Sequence, residues 1–90
     1  MEYRTRYEII YTLLGSLRKD GDQSRTQMMY SSRLSYAQTL SYETLLLEHG
    51  FIKAEESTDN RQNKKILKFS ITKRGNDFLD VFKNLETLFQ

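Results

Sequence analysis

The 90-residue chain contains no cysteine and no proline, and only four of its residues are glycine. Without cysteine, neither a disulfide nor a thiolate metal site can help to hold the fold together. No apolar run approaches the roughly 18 residues of a membrane span, and the first residues lead into an amphipathic segment rather than a secretory signal. We therefore expect one small, soluble, cytoplasmic domain with a modest core.

The chain also has little net charge, because 14 basic and 12 acidic residues leave an excess of only +2. A protein that binds nucleic acid through its overall charge would carry more. The basic residues nevertheless form clusters, namely Arg25 and Arg33, then Arg61, Lys64, Lys65 and Lys68, then Lys73 and Arg74. Such clusters are compatible with a nucleic-acid partner only if folding gathers them on one face; otherwise they belong to an ordinary solvated surface.

The sequence motifs of common active sites are missing from the chain. There is no Gly-rich phosphate loop, no nucleophile elbow and no cluster of histidine or cysteine. The single histidine, His49, stands beside Gly50, a position typical of a surface residue favoured by a helix C-terminus. We therefore expect no enzymatic activity, no metal or other cofactor, and no small-molecule ligand.

Three capping boxes predict the starts of three helices. In each, a Ser or Thr hydroxyl and a Glu or Gln three residues later can satisfy free amides of the first turn. The boxes begin at Thr5, Ser24 and Ser35. The first helix is predicted to run from about Arg6 to Lys19, with Gly21 as a left-handed stop, and the third helix is predicted to end at Gly50.

The second helix is predicted to be short. Its apolar content is Met28, Met29 and Tyr30, and the following Ser31 and Ser32 favour a turn over a helix. A short helix joined by a tight turn to the next helix is the helix-turn-helix pattern.

After Gly50 the apolar period changes from helical to alternating. Residues 51–56 and 65–71 are predicted strands, the second with Leu67, Phe69 and Ile71 pointing inward, and the polar residues 57–63 form the loop between them. A last helix is predicted to be capped by Thr72, with Gly75 in its first turn. The sequence thus predicts an α+β, mainly α, winged helix-turn-helix fold: residues 1–72 form the domain and residues 73–90 a C-terminal helix.

Several local strings resemble the archaeal winged-helix family of small chromatin-type DNA-binding proteins and related archaeal regulators. They are Arg25-Thr26-Gln27-Met28-Met29-Tyr30, Leu34-Ser35-Tyr36 with Tyr42, Leu46 with Gly50-Phe51-Ile52, and Ile71-Thr72-Lys73-Arg74-Gly75 followed by Phe78-Leu79. The chain departs from the family at Glu43, where an apolar residue is usual. The resemblance implies binding to double-stranded DNA, with the third helix in the major groove.

In that reading, the base-contact candidates lie at the start of the third helix. They are Ser35, Tyr36, Gln38 and Thr39. The amide of Gln38 can pair with adenine, whereas the alternative is that Ser35 and Gln38 serve only the helix cap. Tyr36 has no evident task in a core and can contact a thymine methyl, a sugar or a phosphate.

Phosphate contacts are predicted from two other places. The first is a flexible basic wing tip of Arg61, Gln62, Asn63, Lys64 and Lys65, suited to phosphates or the minor groove; the alternative is an ordinary solvated hairpin. The second is the region around the second helix, where Ser24, Arg25, Thr26 and Arg33 can hold phosphates.

The last helix carries an apolar stripe that predicts a homodimer. Its members are Phe78, Phe82, Leu85, Leu88 and Phe89, spaced as in paired helices, and Tyr3, Tyr7 or Tyr11 of the first helix can contribute. The alternative is that the stripe completes the core of the monomer.

The sequence therefore predicts a dimeric, nucleoid-associated transcriptional regulator that binds double-stranded DNA. Two alternatives remain at this point: an architectural chromatin-type protein, or a winged helix that binds proteins. Glu43 and Glu48 on the third helix favour the protein-binding alternative, and the basic wing opposes it.

Overall fold

The computed structural model describes residues 5–89. Its elements are α1 (Arg6–Asp20), β1 (Gln23–Ser24), α2 (Arg25–Ser32), α3 (Tyr36–Glu48), β2 (Ile52–Asp59), β3 (Lys64–Ile71) and α4 (Lys73–Thr87). The strands form one antiparallel sheet in the order β1-β3-β2. The helix-turn-helix and the two-stranded wing predicted from the sequence are both present. Within residues 5–89 no helix is both long and apolar enough to cross a membrane.

In the capping boxes of α2 and α3, both predicted hydrogen bonds between backbone amide and side chain are confirmed. The Gln27 amide donates to Ser24 Oγ at 3.3 Å, and the Ser24 amide donates to Gln27 Oε1 at 2.9 Å. At α1 the Glu8 amide donates to Thr5 Oγ1 at 3.1 Å, while the Thr5 hydroxyl donates to the Glu8 carboxylate at 3.2 Å. Each helix thus begins where a hydroxyl satisfies an otherwise free amide.

The core forms around one face of α1. Its buried apolar residues are Ile9, Ile10, Leu13, Leu14 and Leu17 of α1, with Met28, Leu34, Leu46, Ile52, Phe69 and Leu79 from the other elements. Full burial of each large side chain contributes about 1.5–3 kcal/mol. Since every other helix and the sheet contribute to this cluster, the core fixes α3 and the wing relative to one another.

The wing is longer and its loop shorter than predicted. Strand β2 extends three residues beyond Glu56, and β3 begins at Lys64, so only residues 60–63 form the loop. Polar residues can extend both strands because pairing in this part of the wing depends only on backbone hydrogen bonds between β2 and β3. The Asp59 carboxylate accepts the Arg61 amide at 2.9 Å, and Asn63 adopts a positive φ of 50°, which together close the loop.

Three smaller expectations were wrong. Helix α2 continues through Ser31 and Ser32 because Arg33, in the left-handed conformation, ends it instead. Leu67 was expected to point inward but is 40% exposed in the wing. Gly21 has a positive φ, but its ψ of −163° is not left-handed helical, because the chain extends there toward β1.

The start of α4 is joined tightly to the corner between α3 and β2. The Thr72 hydroxyl donates to the Gly50 carbonyl at 2.6 Å, and the Thr72 amide donates to the Phe51 carbonyl at 3.1 Å. Thr72 also caps α4 by accepting the Gly75 amide at 3.1 Å. Gly75 is buried against Phe51 and Ile71, so that no side chain fits at this position.

Candidate nucleic-acid interface

Helix α3 presents one exposed face to solvent. Its members are Tyr36, Ala37, Leu40, Ser41 and Thr44, with Leu47 and Glu48 in the last turn. They recur at spacings of three and four, which places them on one side of a helix. The opposite side buries Thr39, Glu43 and Leu46. The face has no charged side chain before Glu48, and it combines hydroxyl groups with apolar surface.

The predicted contacts at the start of α3 separate into three groups. Ser35 and Gln38 form the cap, with the Gln38 amide donating to Ser35 Oγ at 3.1 Å and the Ser35 amide donating to Gln38 Oε1 at 3.0 Å. Thr39 is only 1% exposed, and its hydroxyl donates to the Ser35 carbonyl at 2.8 Å. Its burial in the helix-turn-helix contradicts the expectation of a base contact. Tyr36 is 58% exposed, and its base contact stays a prediction.

Arg25 forms an ion pair with Glu43 between α2 and α3. Its Nε and Nη2 atoms each donate to one carboxylate oxygen at 2.7 Å, in the two-pronged geometry that favours strong pairing. Glu43 is 8% exposed. The hydrogen bonds from Arg25 to Glu43 raise the pKa of Arg25 and outweigh the lowering by burial, with smaller contributions from the charge of Glu43 and from Tyr36. Arg25 is therefore directed at Glu43 of α3, and its contact with a phosphate stays a prediction.

The same pair removes one argument for a protein-binding surface. Glu43 does not lie on the exposed face of α3, as the sequence had suggested, but in the contact with α2. The only acidic side chain on that face is Glu48 in its last turn. The exposed face is therefore neutral over its first two turns.

Arg33 occupies the turn between α2 and α3. Its φ of 55° places it in the left-handed region, which is uncommon for a residue with a Cβ. Its amide donates to the Tyr30 carbonyl at 3.3 Å, and the Leu34 amide donates to the Met29 carbonyl at 3.1 Å. An exposed arginine thus stands immediately before α3. On the other side of α2, Ser24 is committed to its cap, while Thr26 is exposed.

The wing carries charges of both signs. Lys64 is opposite Asp59 and Lys68 is opposite Glu55 in the strand register, and Lys65 Nζ is 3.9 Å from Glu56. Exposed ion pairs of this kind are weak, so these lysines can still exchange a carboxylate for a phosphate. Lys64 and Lys65 lie within β3 and not in a flexible tip, so their side chains point to opposite faces of the hairpin.

Sequence reasoning missed part of this surface. Leu40, Ser41 and Thr44 belong to the exposed face of α3 but were not candidates. The available signal was the helical spacing from Tyr36 through Leu40 to Thr44. The first turn alone does not indicate this face, because Ser35 and Thr39 there form hydrogen bonds with the backbone.

Three helices with a helix-turn-helix, followed by a two-stranded wing, define the winged-helix class of domains. The sequence model of the winged helix-turn-helix family matches residues 3–90, and the chain belongs to this family. The uncharacterized protein MJ0287 of Methanocaldococcus jannaschii is 30% identical over 87 residues, which cover 97% of this chain and 75% of that protein.

Two solved structures illustrate the similarity of fold. Sso10a-2, a DNA-binding protein from Sulfolobus solfataricus, superposes with a TM-score of 0.69 at 20% identity, over 96% of this chain and 86% of that one. A MarR family transcriptional regulator from Silicibacter pomeroyi superposes with a TM-score of 0.71 at 20% identity, over 93% of this chain. This chain spans only 52% of the length of that regulator.

Proposed function

We propose that the protein is a transcriptional regulator that binds double-stranded DNA, with α3 in the major groove and the wing on the phosphate backbone. The observation that carries the proposal is the exposed, neutral face of α3, in a domain that also has an exposed Arg33 in the turn before α3 and exposed Lys64 and Lys65 in the wing. A helix of this kind can enter the groove without repelling phosphates, while cations elsewhere on the domain hold them. The winged-helix membership and the DNA-binding relatives support it.

Replacing Lys64 and Lys65 together by alanine should weaken DNA binding similarly for all sequences. Each lysine that contacts a phosphate releases counterions, so its loss lowers the slope of log affinity against log salt by about 1. Because the two side chains point to opposite faces of β3, we expect a decrease between about 1 and 2. Fluorescence anisotropy with a labelled random duplex, measured at several salt concentrations, gives this slope.

The matched control is Lys83→Ala, which removes the same charge from α4, outside the wing. It should leave both affinity and slope unchanged. No binding of the native protein to duplex DNA at low salt would refute the proposed function, and an equal loss in the control would refute the role of the wing.

We propose further that the protein is a homodimer paired through the second half of α4. Leu88 and Phe89 are 79% and 85% exposed, and Val81 and Leu85 are exposed beside them. An apolar patch of this kind marks an interaction surface. It borders an apolar cleft of about 220 Å³ lined by Tyr7, Phe78, Val81, Phe82 and Leu85, which can receive a side chain of the second copy.

Two residues of the predicted dimer stripe have partners within the monomer. Phe82 stacks on Tyr11 with ring centroids 4.7 Å apart, and Phe78 lies 5.4 Å from the ring of Phe51. The proposed interface therefore consists chiefly of Val81, Leu85, Leu88 and Phe89. Tyr3, a further predicted contributor, lies outside the described residues.

The double substitution Leu85→Glu with Leu88→Glu is expected to convert the dimer to a monomer. It would place two carboxylates in each copy of an apolar interface, where charges without partners are strongly unfavourable. Analytical ultracentrifugation should show the mass falling from twice to once the 10.7 kDa of one chain.

Lys83→Glu serves as the control because it lies two positions from Leu85, about 200° around the helix. This variant should remain dimeric. Circular dichroism establishes that each variant is folded. If the native protein sediments as a monomer, or the double variant as a dimer, pairing through α4 is wrong.

A further inference from the structure

We propose that α3 recognises the C5-methyl groups of thymine in the major groove, so that the preferred target is rich in A·T pairs. This inference rests on the proposed binding of α3 to DNA and names the chemistry that α3 reads. It follows from the side chains on the exposed face, which offer methyl groups and hydroxyls and almost no other means of distinguishing bases.

The face that enters the groove is apolar at its centre. Ala37, Leu40 and Thr44 lie within about 60° of one another around the helix axis, and Tyr36 and Ser41 flank them. The Thr44 hydroxyl donates to the Leu40 carbonyl at 3.0 Å, so that its methyl group is the part left for a ligand. Ala37 and Thr44 are about 10 Å apart along the helix, enough to pass about three base pairs.

The groups that read other bases are absent from this face or already engaged. Guanine is read chiefly by arginine or lysine, and in α3 neither residue occurs. Adenine is read by both atoms of an asparagine or glutamine amide. Gln38 is the only such residue in α3, and its Oε1 already accepts the Ser35 amide. Cytosine is read by carboxylates; Glu43 is buried with Arg25, and the exposed Glu48 lies in the last turn of α3, beyond Ala37, Leu40 and Thr44.

The charges around the face favour DNA over a protein as its occupant. Exposed Arg33 immediately precedes α3, and Arg61, Lys64, Lys65 and Lys68 lie in the wing. An apolar strip on a domain that also carries these cations suits a groove whose floor carries methyl groups and whose rims carry phosphates. A purely apolar partner would gain nothing from these cations.

The test compares duplexes that differ only in the C5-methyl group. Anisotropy titrations use four alternating duplexes of equal length: dA–dT, dA–dU, dG–dC, and dG–dC with every cytosine replaced by 5-methylcytosine. Each methyl group buried in contact with α3 should change affinity by about 3- to 5-fold. We therefore expect the dA–dT duplex to bind at least 10-fold more tightly than dA–dU, and methylation to tighten binding to dG–dC.

Two variants of one residue assign the effect to α3. Thr44→Ser removes only the methyl group, and should weaken binding to dA–dT by about 3-fold without changing binding to dA–dU. Thr44→Val keeps a methyl group and removes the hydroxyl, and should preserve the preference for dA–dT. Leu40→Ala, at a residue that is 36% exposed, should reduce that preference further.

The outcomes separate this inference from the function on which it rests. Equal binding to dA–dT and dA–dU would overturn methyl recognition while leaving DNA binding intact. A preference for dA–dT that Thr44→Ser and Leu40→Ala do not alter would show that another element reads the methyl groups, and would also overturn it. No binding to any of the four duplexes at low salt would overturn both proposals.

Discussion

Replacing Gly75 with alanine is expected to destabilise the protein by about 3 kcal/mol. A Cβ at this position would overlap the carbonyl oxygen of Phe51 and lie 2.7 Å from Cγ1 of Ile71. The Phe51 carbonyl cannot move away freely, because it accepts the Thr72 amide. Intrinsic helix propensity favours alanine over glycine. A loss of stability would therefore show that the steric overlap with Phe51 and Ile71 outweighs helix propensity.

Thermal unfolding followed by circular dichroism, at one fixed protein concentration, measures the effect. For a domain of this size, about 3 kcal/mol corresponds to a Tm lower by roughly 12–24 °C. The control is the same substitution at Gly15, in the middle of α1, where a Cβ would have nothing within 4 Å. Gly15→Ala should stabilise the protein by about 0.5–1 kcal/mol. Equal shifts at the two positions would contradict the close approach at Gly75.

The second large effect is expected from Arg25→Met, which should lower the free energy of unfolding by about 2–4 kcal/mol. It leaves the Glu43 carboxylate buried without its partner, and an isolated buried charge is more costly than the pair. Because Arg25 is itself one-third exposed, the cost should be below that of a fully buried pair. The raised pKa of Arg25 keeps the guanidinium charged in the folded state. The stabilising contribution of the charged guanidinium is complete at neutral pH and is lost as the pH rises into strong alkali.

Urea unfolding of three variants isolates this pair. The double variant Arg25→Met with Glu43→Leu removes both charges and should recover to within about 1 kcal/mol of the native protein. Arg18→Met breaks the exposed pair with Asp80, whose atoms are 3.4 Å apart, and should cost less than about 1 kcal/mol. If Arg25→Met lowers the free energy of unfolding no more than Arg18→Met does, the ion pair does not stabilise the contact between α2 and α3.

Features encoded within a few neighbouring residues were predicted well from the sequence. The caps at Ser24 and Ser35 depend on contacts three residues apart, and the structure confirms them. The alternation around Phe69 likewise predicted the buried side of β3. The order of the helix-turn-helix and wing followed from these local signals, because caps and changes of period divide the chain at the correct places.

Features that depend on distant residues were not predictable in this way. Strand β1 has only two residues and exists because they pair with Phe69 and Lys68 of β3. Glu43 looked like a surface acid, since its partner Arg25 lies 18 positions earlier. Periodicity showed that the stripe of α4 is apolar, but not that Phe78 and Phe82 find aromatic partners within the monomer while Leu88 and Phe89 do not.

The junction at Thr72 has a consequence for how far apart two binding sites can lie. Thr72 joins the first residue of α4 to Gly50 and Phe51, directly after α3, with no flexible linker between them. In the proposed dimer, the separation and relative rotation of the two α3 helices are therefore fixed by the geometry of the α4 pair. A single inserted base pair rotates one half-site by about 35° relative to the other. A dimer built in this way would have little freedom to follow that rotation, and it would therefore discriminate operators by half-site spacing as well as by sequence.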